Sequence, residues 1–209
     1  MTTTFLFIRH GQTDWNVQGR WQGFTDIPLN EVGRAQAHAL AKRLASWPLD
    51  VVYASDLERA AETAAIMAAP HGLQPILTPV WRERGLGALE GLTQAEIHKN
   101  YPYLLLPRSF IEGPGSESYD KLRKRVIGGY NKLVRQHKGQ TVAIITHGGT
   151  LRMIVSHVLD LPGRLFAPFH LDGNTGITRV HVDKKGQSSL SLLNDTAHLE
   201  AGLMFDAGG

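Results

Sequence analysis

The stretch FLFIRHGQTDWN, Phe5 to Asn16, decides the fold. Four consecutive apolar residues, Phe5–Ile8, run directly into Arg9, His10 and Gly11. An apolar run of this length bounded by glycine reads as a buried strand. A surface turn has no need of a guanidinium and an imidazole at that point, followed by the most permissive residue. The design returns at TVAIITHGG, Thr141–Gly149, where a second apolar run ends in His147 and two glycines.

Helical patterns lie between these strands. NEVGRAQAHALAKRLAS, Asn30–Ser46, places Val32, Ala35, Ala39 and Leu40 on one stripe, with Arg34, Lys42 and Arg43 outside it. Asn30 is a natural N-cap, and Pro28 keeps the helix from starting earlier. LDVVYAS (Leu49–Ser55) reads as a strand, and Ser55 with Glu58 has capping-box spacing, so a helix is predicted just after Ser55. Pro70-His71-Gly72 ends it. TLRMIVSHVLDL has helical spacing and stops at Pro162-Gly163. Two closing strands are expected near Gly176–Val182 and Leu190–Leu193. Strand–helix alternation predicts a three-layer α/β/α sandwich with a mostly parallel central sheet. The rhythm breaks at about 87–117, which contains a second capping-box spacing at Thr93/Glu96 and then YPYLLLP. This segment reads as a small cap-like insertion within a single domain spanning 1–209.

Composition bounds the function. At 209 residues, 42% hydrophobic and 20% charged, the chain fits an ordinary soluble domain. A net charge of +3 lacks the dense basic pattern of a nucleic-acid binder. It suits a small anion if a few arginines converge. The absence of cysteine excludes thiolate nucleophiles, disulfides and Cys-based zinc sites. The apolar stretch near the N-terminus is too short for a signal-peptide core, and no run is long enough to span a membrane. A cytoplasmic protein with no membrane partner is the expectation.

Ligands of open α/β sheets bind beyond the carboxyl ends of the strands. If the strands ending in Arg9-His10-Gly11, in Ser55 and in Thr146-His147-Gly148-Gly149 are neighbours, two imidazoles meet Arg9 and Arg59 in one crevice. Helix N-termini after Gly149 and Ser55 would add oriented N–H groups. Such a site suits a phosphate dianion. A P-loop is absent, so a nucleoside triphosphate cradle is not expected. A neutral His10 would be a nucleophile for phosphoryl transfer, and the two arginines would hold its pKa down. Some group must tie the other ring nitrogen, and the sequence does not name it.

Four stretches in order, RHGQTDWN, SDLERAAETA, RERGLGALEGLT and THGGTLRMI, resemble the motifs of the histidine phosphatase superfamily, the phosphoglycerate mutase-like enzymes. QGRWQGFTDIPLNEVGRAQA (Gln18–Ala37) and LLNDTAHL (Leu192–Leu199) resemble it too, so the likeness runs over nearly the whole chain. It implies that His10 is phosphorylated, that Arg9, Asn16 and Arg59 grip the phosphoryl group, and that His147 stabilises the transition state with the Gly148 N–H nearby. Glu83 would be the general acid, then the base toward water. The substrate would be a small phosphate ester. No metal and no cofactor are implied, except 2,3-bisphosphoglycerate if the chain is instead a phosphoglycerate mutase. Mutases of the family typically carry Asn two residues after the second His, where this chain has Gly149, which favours a phosphatase.

Plainer readings stand beside these. Spacing alone makes Arg59 an exposed partner of Glu58 or Glu62, and Glu83 a partner of Arg82 or Arg84. Asn16 closes a turn. Arg20, Trp21 and Gln22 line the pocket mouth, or Trp21 only packs. Arg82, Arg84 and Arg108 are candidates to meet a second anionic group of the substrate, or Tyr101, Tyr103 and Leu104–Leu106 favour a bulkier organic phosphate. KLRKR (Lys121–Arg125) is a solvated helix face. YPYLLLP is either a lid or an apolar patch meeting a second subunit in a homodimer. The rival classes are a non-catalytic phosphoester binder and a metal-dependent hydrolase using the ten histidines.

Overall fold

The computed structural model describes residues 2–104, 112–161, 169, 171 and 173–199. Phe5–Ile8 lie in β1 (Thr3–Arg9), followed by a one-turn helix α1 (Asp14–Val17) and by α2 (Glu31–Leu44). Then come β2 (Val51–Ala54), α3 (Glu58–Ala68), β3 (Ile76–Leu77) and α4 (Gln94–Asn100). The chain continues through α5 (Tyr119–Gln136), β4 (Thr141–Thr146), α6 (Gly148–Val158), β5 (Ile177–Val182) and β6 (Ser188–Asp195). The sheet order is β3-β2-β4-β1-β5-β6. The strands from β3 to β1 are parallel, whereas β5 runs against β1 and β6 against β5. The mostly parallel α/β architecture expected from the sequence is therefore present.

Period-two alternation along β1 divides the core. Phe5 and Phe7 face Trp81, Tyr130, Val142, Ile144 and Ile154, on the side covered by α5 and α6. Leu6 and Ile8 face Leu40, Leu44, Ala60, Ala64 and Met67, on the side covered by α2 and α3. All four β1 side chains are fully buried, each worth roughly 1.5–3 kcal/mol. β1 and β4 pair directly, with Arg9 opposite Thr146. The residues that follow, His10 and His147, thus leave neighbouring strands at the same end of the sheet.

Two expectations change, and one strand is added. The buried stripe of α2 is Gly33, Gln36, Ala37, Leu40, Ala41 and Leu44, and Ala35 is exposed. The face is turned because Gly33 lies against the loop after β1: a Cβ there would fall 2.1 Å from the Gln12 carbonyl oxygen. α3 starts at Glu58 without a side-chain cap of its own. Its Glu58 N–H is taken by Asp26 at 2.7 Å, while Ser55 Oγ accepts only from Leu57. The cap comes from a distant loop, so that helix end is not open to an anion. The two-residue, half-exposed strand β3 carries no pattern that the sequence reading could find.

Within 87–117, a 3-10 turn (Gly87–Leu89) precedes α4, and Thr93 and Glu96 form the expected capping box. Leu86, Leu89, Ile97 and Leu104 pack on Trp21 in a small separate cluster. Residues 105–107 of YPYLLLP, Arg108, and the Pro162-Gly163 stop lie outside the described residues. Among the described residues, no helix is long and apolar enough to cross a membrane.

Two glycine substitutions separate helix propensity from packing. Gly128 on α5 has open space where a Cβ would go, so Gly128→Ala should raise stability by about 1 kcal/mol. Gly33→Ala gains the same propensity but drives a methyl into backbone, and should lose a net ~1–3 kcal/mol. Urea unfolding midpoints check both. A stabilised Gly33→Ala would mean that α2 is not held against the loop.

Candidate active site

The site starts at the backbone of the loop after β1. His10 is 3% exposed, and its N–H donates to the Thr146 carbonyl at 2.9 Å. Its Nδ1 lies 2.7 Å from the Gly11 carbonyl oxygen. A carbonyl only accepts, so the network assigns the proton to Nδ1 and leaves Nε2 bare. The group that the sequence could not name is thus the next residue's own carbonyl. Gly11 is itself fixed: its N–H donates to Thr63 Oγ1 at 3.0 Å, and a Cβ on it would fall 2.5 Å from the Gly33 carbonyl oxygen.

Opposite lies His147, 1% exposed, with ring centroids 5.0 Å apart at an interplanar angle of 56°. It is the N-cap of α6, and Gly148 opens the first turn. A Cβ on Gly148 would sit 3.9 Å from Arg9 Nε, so that guanidinium runs beside the helix start. Arg59 is fully buried, not an exposed helix arginine. Its Nη1 and Nη2 donate to the carbonyls of Thr25 and Gly23, both at 2.9 Å, while Glu62 pairs with Arg34. Arg59 Nε and both ring nitrogens of His147 are buried with no hydrogen-bond partner among the described residues. Buried polar atoms ordinarily find partners, and phosphoryl oxygens have the chemistry to serve the donors among them.

Asn16 does close a turn, as the third residue of the Thr13 capping box. That leaves its amide defined. Oδ1 accepts from Thr13 N–H and Oγ1, both at 3.1 Å, and from Asn174 Nδ2 at 3.4 Å, so Nδ2 is the donor end directed elsewhere.

The Glu83 carboxylate is held by backbone N–H groups, while Arg82 pairs with Asp56. Glu83 Oε2 accepts the Gly149 N–H and Glu83 Oε1 the Arg84 N–H, both at 2.9 Å. A Cβ at Gly149 would fall 2.3 Å from Glu83 Oε1, so any side chain there displaces the carboxylate. Thr146 Oγ1 and Thr150 Oγ1 each donate at 2.7 Å to the carbonyls of Trp81 and Arg82. β4 and α6 therefore carry both His147 and the supports of the Glu83 segment.

The outer pocket residues divide. Trp21 is 1% exposed and packs in the small cluster, so it does not line a mouth. Arg20 is taken by the Gly91 carbonyl and Glu96. Arg82 is held bidentately by Asp56, both bonds 2.7 Å, which removes it as a receptor for a second anion. Gln22 and Arg84 remain half-buried and buried, respectively. The sequence reading missed the Gly173–Gly176 turn. Asn174 Nδ2 donates to the His10 carbonyl at 2.9 Å and also reaches Asn16, and Thr175 N–H donates to the Arg9 carbonyl at 3.1 Å. Thr175 holds this position with φ of 56°, a strained value for a β-branched residue. That strain was the one signal available, and it is invisible before the structure.

Burial, then the nearby Arg59 and Arg9, hold the His10 pKa well below its ordinary value, against the opposing Gly11 bond. Burial, Arg59 and His10 do the same for His147. Burial pulls Arg59 down to about 10, with Glu83 opposing, so it stays charged at neutral pH. The cluster thus combines neutral imidazoles with cationic guanidiniums. Unfolded imidazoles ionise near 6.5. The unfolded chain then binds more protons below that pH, so this contribution to stability is full above about 6.5 and is lost on acidification. In an NMR titration of histidine rings, His10 and His147 should stay neutral as pH falls through 6.5. Protonation of either at or above that value would contradict this electrostatic account.

Comparison with known proteins shows which family the chain resembles as a whole. The family model for the histidine phosphatase superfamily (branch 1) matches residues 5–196. The chain is 35% identical to phosphoglycerate mutase-like protein 4 of Arabidopsis thaliana, over 94% of this chain and 90% of that protein. It is 34% identical to the metal-independent phosphoserine phosphatase of Arabidopsis thaliana, over 98% and 89% respectively. Bacillus stearothermophilus YhfR superposes with a TM-score of 0.87 at 33% identity, covering 95% of this chain and all of that one. With the profile spanning every segment that builds the site, the chain belongs to the histidine phosphatase superfamily.

Proposed function

We propose that the chain hydrolyses small phosphate monoesters in two steps through a phosphohistidine formed at His10 Nε2. One observation carries this reading: Nδ1 is committed to the Gly11 carbonyl, which leaves Nε2 bare in a buried cluster with His147 and two arginines. In the first step the Nε2 lone pair forms the N–P bond while the ester P–O bond breaks, and Glu83 protonates the departing oxygen. In the second, Glu83 takes a proton from water, the water oxygen attacks phosphorus, and the N–P bond breaks. Phosphate leaves and His10 is restored.

Arg9, Arg59, the Asn16 amide and the first turn of α6 face the charge that develops on the equatorial oxygens. These groups are held by backbone before substrate arrives, which is the condition for electrostatic stabilisation without reorganisation. The chemistry assigns each role to a side chain of the protein and calls for no metal. The name of the Arabidopsis thaliana relative, a metal-independent phosphoserine phosphatase, supports that reading and makes phosphoserine the first ester to try. Gly149, where mutases of the family typically carry an asparagine, supports hydrolysis over a mutase.

Phosphate release from a panel of monoesters in chelator tests this, with phosphoserine and 3-phosphoglycerate included and 2-phosphoglycerate followed in the same tubes. Release from several esters is expected, with His10→Ala slower by about 10³-fold or more. Formation of 2-phosphoglycerate with little free phosphate, seen when 2,3-bisphosphoglycerate is added, would make the enzyme a mutase. A His10→Ala enzyme retaining much of its rate would remove the nucleophile.

A further inference from the structure

One half-buried cation near the site has no part in the chemistry above. Arg125 lies on α5 in the run KLRKR, whose other basic members, Lys121, Arg123 and Lys124, are exposed as a solvated face should be. Arg125 departs from them, with a side chain only 20% exposed. Its Nη1 donates to the carbonyls of Val80 (2.9 Å), Arg82 (3.0 Å) and Pro79 (3.2 Å). Nη2 donates to the Glu83 carbonyl at 3.0 Å and to Glu117 Oε2 at 2.7 Å, and Nε donates to Glu117 Oε1 at 3.0 Å.

The segment that receives these bonds leads into Glu83. It begins as a 3-10 turn, Pro79–Trp81, and then extends. Within the turn the Pro79 carbonyl accepts the Arg82 N–H, whereas the Val80 carbonyl has no helical partner. The guanidinium supplies one, and its planar fork fixes their spacing. Glu117 orients the fork and reaches past Glu83: its Oε2 accepts the Gly85 N–H at 3.3 Å, and its N–H donates to the Gly85 carbonyl at 2.8 Å. Thr146 and Thr150 grip the other side of the same segment. Residues 79–85 are therefore clamped between α5 and the strand and helix that present His147.

We propose that Arg125, oriented by Glu117, is a positioning residue that sets where the Glu83 carboxylate meets the α6 N-terminus and the leaving oxygen. This rests on the reading of Glu83 as proton donor. A lysine at 125 cannot reproduce the clamp, because an ammonium has three donors and no plane. The carboxylate would then lose its placement while the nucleophile and the phosphate grip stay intact.

The test compares kcat/KM for phosphoserine, whose alkoxide needs a proton, with p-nitrophenyl phosphate, whose phenolate leaves without one. This parameter reports events up to formation of the phosphoenzyme. Arg125→Lys should lower it by about 10- to 100-fold on phosphoserine, the scale of a small misplacement, and by no more than about threefold on the aryl ester. In a Glu83→Gln background, Arg125→Lys should cost nothing further, because both changes remove one function. Equal losses on the two esters, or a loss that multiplies with that of Glu83→Gln, would show a merely structural role and overturn the proposal while Glu83 keeps its part. A Glu83→Gln enzyme unimpaired on phosphoserine would instead remove the proton-donor reading, and the proposal with it. Thermal denaturation confirms that each variant is folded at the assay temperature. Should Arg125→Lys not fold, Glu117→Gln loosens the same fork and is read by the same criteria.

Discussion

The site depends on a contact between two stretches of backbone with no side chain between them. Gly11 lies against Gly33, and Gly33 against Gln12, so closely that a methyl on either glycine would overlap a carbonyl oxygen. Around this contact Gln36 Oε1 accepts the Gln12 N–H, Asn30 caps α2 through Gly33, and Thr63 receives the Gly11 N–H. The Gly11 carbonyl is thereby aimed at His10 Nδ1. One hydrogen bond then settles the tautomer of a buried ring, and the tautomer decides which nitrogen can form a bond to phosphorus. The packing of a helix on a loop is in this way linked to the chemistry of a single atom.

The second constraint is electrostatic. A fully buried guanidinium is costly unless its donors are met. Arg59 meets part of that cost with the carbonyls of Gly23 and Thr25, and the carboxylates of Glu83, Asp26 and Glu90 favour its charge. Glu90 also accepts from the backbone of Phe24 and Leu86 and from the Thr25 hydroxyl, which ties the 20s loop to the Glu83 segment. The loop that supplies Arg59 with acceptors is thus joined to the chain that carries the acid. Burial keeps the two imidazoles neutral, and the same cation that suits a dianion adds to that effect.

How much of this was legible depends on where each signal lies. β1, β4 and α2 were visible because apolar runs and a cap are local patterns, whereas the adjacency of the two histidine-bearing strands stood only as a condition until the sheet order met it. The turned face of α2 was not, because Gly33 has no hydrophobicity to read and its importance lies in what it touches. The start of α3 was misread because Asp26, remote in sequence, outcompeted Ser55 for the cap. Arg125 looked like its exposed neighbours, since nothing local distinguishes a cation whose acceptors are carbonyls over forty residues away. Asn174 and Thr175 sit in an unremarkable polar turn and matter only through the backbone of Arg9 and His10. Glu83 had no local signature either. It came into view through resemblance to a family, and its bonds to Gly149 and Arg84 came from the structure.

The central claim is that phosphorus is carried by one particular nitrogen. The most direct measurement is to quench the enzyme with alkali during turnover of phosphoserine and to locate the phosphoryl group by tandem mass spectrometry and phosphorus NMR. The account predicts a phosphohistidine at residue 10, substituted on Nε2. Phosphorylation on Nδ1 or at His147, or steady turnover with no phosphoenzyme at any point, would contradict it.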